Sequence, residues 1–454
     1  MNMPEALPEI AIAGSCPSKS QVRGTLRRMI EPGAPLRTRR TLAIVVGRMS
    51  DDPVVLLEGP RSVGKSTLLK EVTESSGGRL IDLDDPATRD AVIADPSRFM
   101  GGEQTVCIDE YQKAPLVLDA IKAELNKATR PGRFVLTGST RHDALPPAAQ
   151  ALTGRLSRLT IYPFSQGELS NVRENFLDTA SRTPTAVVTA EVSTTTRDDY
   201  TARICRGGFP LALAASSDRA RKRWIDEYVR LTLERDVREL SRLRQGHLLG
   251  TLLGRLAGQT AQVLNIEKAA RDVGLDRVTT ESYVSLLEKV FLLHRLPAWG
   301  KTLTARSAAT PKVHVLDSAI AARLLRLTPE KLSTLDATAQ TEFGHLLETF
   351  AVGELLKQAS WNDDIAGVGH WRTHDGDEVD LVVELDDGGV VGFEIKTGSR
   401  VPGAELNPLR KLRDAVGKNF VAGFALYLGE RSYTFDDRLH VLPLDRLWNC
   451  YGSR

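Results

Sequence analysis

From residue 53 the sequence alternates short unbroken apolar runs with stretches of helical spacing. "VVLLEG" reads as a buried strand bounded by glycine, and "KSTLLKEVTES" then carries apolar residues at helical intervals. "GRLIDLDD" and "QTVCIDE" read as further strands, "PLVLDAIKAELNKAT" as a helix and "GRFVLTGST" as another strand. Strands that alternate with helices imply a parallel sheet covered on both faces. Upstream, residues 1–40 hold Pro, Gly and an Arg-rich end and read as an arm leading into the helix "TLAIVVGRMS". Residues 171–200 are Thr-rich and poorly periodic, the pattern of an inserted loop. Residues 200–245 are helical and Arg-rich. Two amphipathic segments then flank Gly274, the second opened by Thr279 or Thr280, which is a helix-turn-helix pattern. From residue 311 strands return ("KVHVLDS", "GHWRTH", "EVDLVVEL", "VVGFEIK", "VAGFALYLG", "HVLPL"), with helices at 342–358 and near 405–416.

Composition narrows the picture modestly. The chain of 454 residues is too long for one core, and about three domains are expected. A net charge of +2 leaves any basic surface to be local. Cys16, Cys107, Cys205 and Cys450 are far apart and form no CxxC, which fits a reducing cytoplasm rather than a disulfide framework. No signal pattern opens the chain, and no apolar run reaches roughly 18 residues, so no membrane association is expected.

Candidate chemistry changes the picture more. Gly59-Pro60-Arg61-Ser62-Val63-Gly64-Lys65-Ser66-Thr67 fits GxxxxGK[ST], and it lies between a strand and a helix. The glycines let backbone N–H groups turn inward around a phosphate, and the helix N-terminus adds a favourable dipole. Lys65 would reach the β- and γ-phosphates of ATP, and Ser66 would ligate Mg²⁺. "TVCIDE" ends in Asp109 and Glu110. Asp109 would hold Mg²⁺ through water, and Glu110 would orient or deprotonate the attacking water. The spacing suits a strand beside the P-loop strand. "LTGST" offers Ser139 or Thr140 as a polar sensor of the γ-phosphate, or merely a strand-ending turn. Arg155 in "LTGRLSRL" is either an arginine finger for a neighbouring subunit or a surface arginine.

A second constellation lies in "EVDLVVELDDGGVVGFEIKTGSR". Glu394 and Lys396 are two apart on one strand and share a face. A three-residue loop, Asp386 to Gly388, would set Asp380 opposite Glu394. A four-residue loop would send Asp380 to the other face, since a one-residue slip flips every side chain. Glu378, Glu384, Asp386 and Asp387 read as solvated or turn residues.

The order of these motifs, with "IDLDDP", "CIDEYQKAP", "LTGRLSRLTIYPFSQGEL", "RGGFP", "FGHLLETFAVGELLK" and "FEIKTG", resembles a large family of bacterial and archaeal AAA-type P-loop ATPases. The resemblance runs from about residue 38. It implies an α/β fold: a P-loop AAA-type ATPase with a helical lid, a winged helix and a restriction-endonuclease-like C-terminal domain of PD-(D/E)xK type. The corresponding boundaries are an arm at 1–40, ATPase core at 41–170, insert and lid at 171–245, winged helix at 246–310 and PD-(D/E)xK-like domain at 311–454. It adds Glu348 to Asp380 and Glu394 as a second Mg²⁺ site, with Lys396 to position water or stabilise the developing charge. The arm and the 171–200 insert depart from the family pattern. The expected function is ATP hydrolysis by a homo-oligomer, such as a ring, acting on DNA that includes branched or repair-intermediate forms. The alternatives are a nucleotide-gated signalling or toxin–antitoxin-like defence ATPase, and an ATP-regulated Mg²⁺-dependent nuclease. The second helix of the helix-turn-helix offers few basic residues, so it could pack against protein as readily as enter a DNA groove.

Overall fold

The computed structural model describes residues 39–141, 152, 154–237, 246–300, 310–334 and 336–451. All of the expected N-terminal arm except Arg39 and Arg40 lies outside the described residues, as do residues 238–245 of the Arg-rich segment.

Five strands build the first sheet: β1 (Val54–Glu58), β2 (Arg79–Asp82), β3 (Val106–Asp109), β4 (Phe134–Gly138) and β5 (Leu156–Thr160). All pair in parallel, in the order β2-β3-β4-β1-β5. β1, β3 and β4 are buried at every position, as continuous apolar runs between two layers of helices must be. β2 exposes all but Ile81, which marks it as an edge. The acidic strand β3 was expected beside the P-loop strand, but β4 lies between them. Crossover helices allow either neighbour, and only packing selects one. The helix Lys65–Ser76 buries Leu68, Leu69 and Val72, and the helix Val117–Lys127 buries Leu118, Ile121 and Leu125 against the sheet.

The Thr-rich insert is not a loose loop. It forms the helix Phe176–Arg182 and a 3₁₀ turn at Pro184–Val187, with Phe176, Leu177 and Val187 buried. The Phe176 ring packs on Phe393, Phe424 and Tyr451 near the chain's end. Further along, the hydroxyls of Ser193 and Thr195 donate to Asp445 (2.6 and 2.8 Å). Its few apolar residues are spaced for contact with a distant domain, which local periodicity cannot reveal.

After the helices Arg197–Arg206 and Asp218–Leu231 come Ile266–Val273 and Arg277–Lys289, turned at Gly274 (φ 76°). Asp276, rather than Thr279 or Thr280, caps the second helix, accepting from Thr279 N at 2.9 Å. Thr280 is buried. This helix pair carries a small antiparallel sheet of β6 (Gln262–Val263), β7 (Leu293–Leu296) and β8 (Lys312–Val315), in the order β6-β8-β7. The expected boundary at residue 311 therefore moves: "KVHV" belongs to the helix-turn-helix sheet, not to the C-terminal one. Its alternation showed a strand but not which sheet it would join.

The C-terminal sheet holds β9 (Ile365–Arg372), β10 (Glu378–Leu385), β11 (Val390–Ile395), β12 (Phe420–Tyr427), β13 (Tyr433–Asp436) and β14 (Leu439–Pro443), in the order β13-β14-β12-β11-β10-β9. The pairs β11–β12 and β12–β14 are parallel and the rest antiparallel. The helix Asn407–Val416 makes the β11-to-β12 crossover. The long helix Ala337–Ala359 docks this sheet on the domain of the five-stranded sheet. Its Glu354 accepts from Gln166 N (2.7 Å), and Lys357 donates to Phe164 O (3.1 Å) and Glu354 (2.6 Å). One apolar cluster runs through all three regions, from Val45 and Leu57 through Leu253 and Val284 to Phe393 and Trp448. Among the described residues no helix is long and apolar enough to cross a membrane.

Candidate functional site

In parallel strands every C-terminal end points the same way. The loop after β1, the acids ending β3 and the residues after β4 therefore meet on one edge. Gly59 and Gly64 shape the P-loop for different reasons. A Cβ at Gly59 would lie 2.2 Å from the Ile161 carbonyl oxygen, so glycine permits that close approach. Gly64 has φ 96°, a torsion that L side chains rarely adopt. Ser62 is also left-handed (φ 61°). The Lys65 ammonium is buried and donates to the carbonyls of Gly59 and Pro60, both at 2.8 Å. Burial pushes Lys65 down to about 8, against the opposing pull of Glu110 and Asp109. The Arg61 side chain leaves the loop and pairs with buried Asp236, its Nε 2.8 Å from both carboxylate oxygens.

Asp109 accepts hydrogen bonds from the hydroxyls of Thr137 and Ser66, yet burial still raises it above the usual carboxylate range. Glu110 has φ 53°, a strained torsion that is common at functional sites. The strain turns its carboxylate back across β4. There it accepts from Ser139 Oγ (3.0 Å) and from Gln112, whose amide also reaches Ser139 Oγ (2.9 Å). Thr137 bridges both acids, donating to Asp109 and accepting from Glu110 N at 3.0 Å. The structure thus joins Lys65, Ser66, Asp109, Glu110 and Ser139, and adds Thr137, Gln112 and Asp236. Thr137, the polar residue in the β4 run and two residues before Ser139 on the same face, could have been singled out from the sequence. Asp236 had no local signal. The phosphate loop fits a nucleotide, and Ser66 with Asp109 fits Mg²⁺, since a hydroxyl and a carboxylate already in contact are hard oxygen donors.

Arg155 lies elsewhere. It precedes β5, whose Leu156 pairs with Val54 at the start of β1, whereas the P-loop follows Glu58 at the other end. Its guanidinium donates to Asn126 (2.7 Å).

The second constellation has the register that brings its acids together. Leu381 pairs with Phe393 and Glu384 with Val390, and Leu385 N donates to Gly389 O at 2.8 Å. The loop is Asp386–Gly388, and the same register sets Asp380 opposite Glu394. Lys396 donates to Glu394 (2.7 Å). The helix Ala337–Ala359 brings Glu348, and Lys312 of β8 enters from the neighbouring sheet. The Lys312 ammonium is 2.7 Å from Glu348 and 3.0 Å from Asp380, and it also contacts Glu378. Glu378 and Glu384 are only partly solvated: the former pairs with Lys312, and the latter accepts from Trp299 Nε1 (3.1 Å). Burial works against the Lys312 charge, but Asp380, Glu348 and Glu378 outweigh it and raise its pKa. Burial, reinforced by Asp380, pushes Glu394 up to about 8 and Glu348 well above its ordinary range. Among the described residues no group of three His, Cys, Asp or Glu side chains is arranged to hold a metal ion. With Lys312 at their centre, these acids do not fit a resident metal.

Three families match successive stretches of the chain. Residues 51–170 match a family described as an AAA domain, residues 197–331 a domain of unknown function (DUF8612), and residues 343–447 a second (DUF4143). With the site geometry, the first match makes this region an AAA-type ATPase-like domain. The second match spans both the helical segment and the helix-turn-helix. Uncharacterized proteins of Mycobacterium tuberculosis and Mycobacterium bovis are each 27% identical over 399 residues, 87% of this chain and 81% of theirs. Among solved structures, a Walker-type ATPase of Pyrococcus abyssi aligns at 15% identity over 65% of this chain and 98% of its own, with a TM-score of 0.40. A variant of Thermotoga maritima RuvB aligns at 17% identity over 62% and 90%, with a TM-score of 0.26. Alignments this loose are likenesses only.

Proposed function

We propose that this protein is an Mg²⁺-dependent ATP hydrolase that works as a nucleotide-gated switch. The observation that carries the reading is the Glu110 carboxylate, held by Ser139 and Gln112 on the edge that also bears Lys65. A carboxylate so placed can orient or deprotonate a water aimed at a γ-phosphate. Ser66 and Asp109 would hold Mg²⁺, which when bound neutralises charge on the phosphate oxygens. Lys65 would exchange its two carbonyl partners for phosphate oxygens, a stronger charge-assisted contact.

Two contacts support the switch. Arg61 ties the P-loop to Asp236 of the helical segment. Arg141, two residues after Ser139, ties the sensor strand to the helix-turn-helix: its N and Nε donate to the Lys289 and Glu288 carbonyls (3.1 and 3.3 Å). A change at the γ-phosphate edge therefore reaches both helical units through one residue each. Assembly into a homo-oligomer would let Arg155 serve a neighbour's site.

Action on DNA is the second reading, favoured by one observation. The first turn of the helix Arg277–Lys289 projects into solvent, with Val278 80% exposed, as a groove-entering helix must. Its Arg277 pairs with Glu267 across the turn (2.9 Å), and Arg295 pairs with Glu281 (2.6 Å), so DNA would have to displace carboxylates to gain these charges.

ATPase rates with single-stranded, duplex and four-way DNA at low and moderate salt decide between the readings. The switch predicts rates within about twofold of the DNA-free value. DNA action predicts stimulation that falls steeply with salt. A Lys65→Ala protein that still hydrolysed ATP would refute both.

A further inference from the structure

Lys312 and the acids it touches belong to different structural units. Its backbone pairs with Val263 and Leu296 in the helix-turn-helix sheet. Its side chain, 1% exposed, crosses to the helix Ala337–Ala359 and to β10 of the C-terminal unit. An ammonium has three N–H donors, and here three carboxylates meet it: Glu348, Glu378 and Asp380. The second oxygen of Asp380 accepts from Ile395 N (2.9 Å), so each oxygen of that carboxylate has a partner. Glu394 is opposite Asp380. One of its oxygens is held by Lys396, while the other is buried with no hydrogen-bond partner among the described residues. A divalent cation shared by Glu348 and Asp380 would draw on carboxylates that the Lys312 ammonium already neutralises, and repulsion between two buried cations so close together disfavours holding both.

We propose that Lys312 is the resident cation of this cluster. It stands where a divalent metal would otherwise sit, and it turns the acids into a joint between the helix-turn-helix sheet and the C-terminal unit. The joint extends into the backbone. The chain after β7 runs beside β9, with His370 N donating to Pro297 O (2.9 Å) and Trp299 N to His370 O (2.6 Å). Removing the Lys312 charge while keeping its bulk should leave four carboxylates with Lys396 as their remaining ammonium, and so open a cation site.

The test is Mn²⁺ binding to the nucleotide-free full-length protein, followed by the paramagnetic signal of free Mn²⁺ and by thermal melting. In the wild type, Asp380→Asn should leave the amount of Mn²⁺ bound unchanged. Lys312→Met should gain one site that raises the melting temperature when Mn²⁺ is added and binds at least about tenfold tighter than any wild-type site. Adding Asp380→Asn to Lys312→Met should remove that site. The proposal is overturned if wild-type protein binds Mn²⁺ and loses it on Asp380→Asn. It is also overturned if a cooperatively melting Lys312→Met protein gains no site. Should Lys312→Met not fold, the wild type against Asp380→Asn and Glu348→Gln decides alone: Mn²⁺ binding that falls in either variant overturns the proposal, and binding unaffected by both supports it.

Discussion

Both halves of the molecule place buried lysines among carboxylates at strand ends, yet the two clusters are wired differently. At the P-loop, Lys65 is held by two backbone carbonyls, while Asp109 and Glu110 are held by neutral hydroxyls and an amide. Charge there is not cancelled by direct contact, and an incoming phosphate and cation can complete it. In the C-terminal cluster Lys312 touches three carboxylates and Lys396 a fourth. That charge is largely satisfied within the protein. The same residue types thus make a site when their partners are exchangeable, and a joint when their partners are each other.

The largest expected effect breaks the first cluster. Glu110→Gln should lower ATP turnover by about 10²–10³-fold while nucleotide affinity stays within about threefold, read by single-turnover hydrolysis beside equilibrium binding. Unchanged turnover would remove Glu110 from the chemistry. Thr137→Val keeps shape but deletes the hydroxyl bridging Asp109 and Glu110, and turnover should fall about tenfold through lost positioning. The counterpart in the joint is Asp380→Asn. It should leave ATPase activity within about twofold and cost about 1–3 kcal/mol in urea unfolding, since Lys312 keeps Glu348 and Glu378. A large loss of turnover there would show that the clusters are not independent.

The smallest effect sharpens the comparison with a buried acid held by a neutral hydroxyl. Glu174 accepts from the Ser165 hydroxyl, and burial pushes it up to about 8. The folded protein therefore holds a proton that the unfolded chain releases near pH 4.5, and stability should fall as pH rises from about 4.5 to 8. Glu174→Gln should flatten that slope and be the more stable protein at pH 9 by on the order of 1–3 kcal/mol. A wild-type melting profile with no such fall would contradict the assignment.

The P-loop was legible because its chemistry is local: nine adjacent residues carry the torsions, the helix start and the lysine. Asp109 and Glu110 were legible as an apolar run ending in acids. Thr137 and Gln112 were harder, since they matter only once β4 lies beside β3. In the second cluster the acids and the two candidate loop lengths could be read, and the hairpin took the three-residue loop. Lys312 could not be read. It is far from every acid it touches along the chain, and it arrives from a strand that the pattern had assigned to another sheet.

By itself the sequence determined the elements, the phosphate loop and the pairing options of one hairpin, all set by torsions and side-chain period within short windows. The tertiary structure decided which strands are neighbours, where the Thr-rich insert packs, and which cation the C-terminal acids hold. Those choices join residues tens to hundreds of positions apart. They follow from how whole faces bury and how buried charges find partners, and no short window of sequence contains that information.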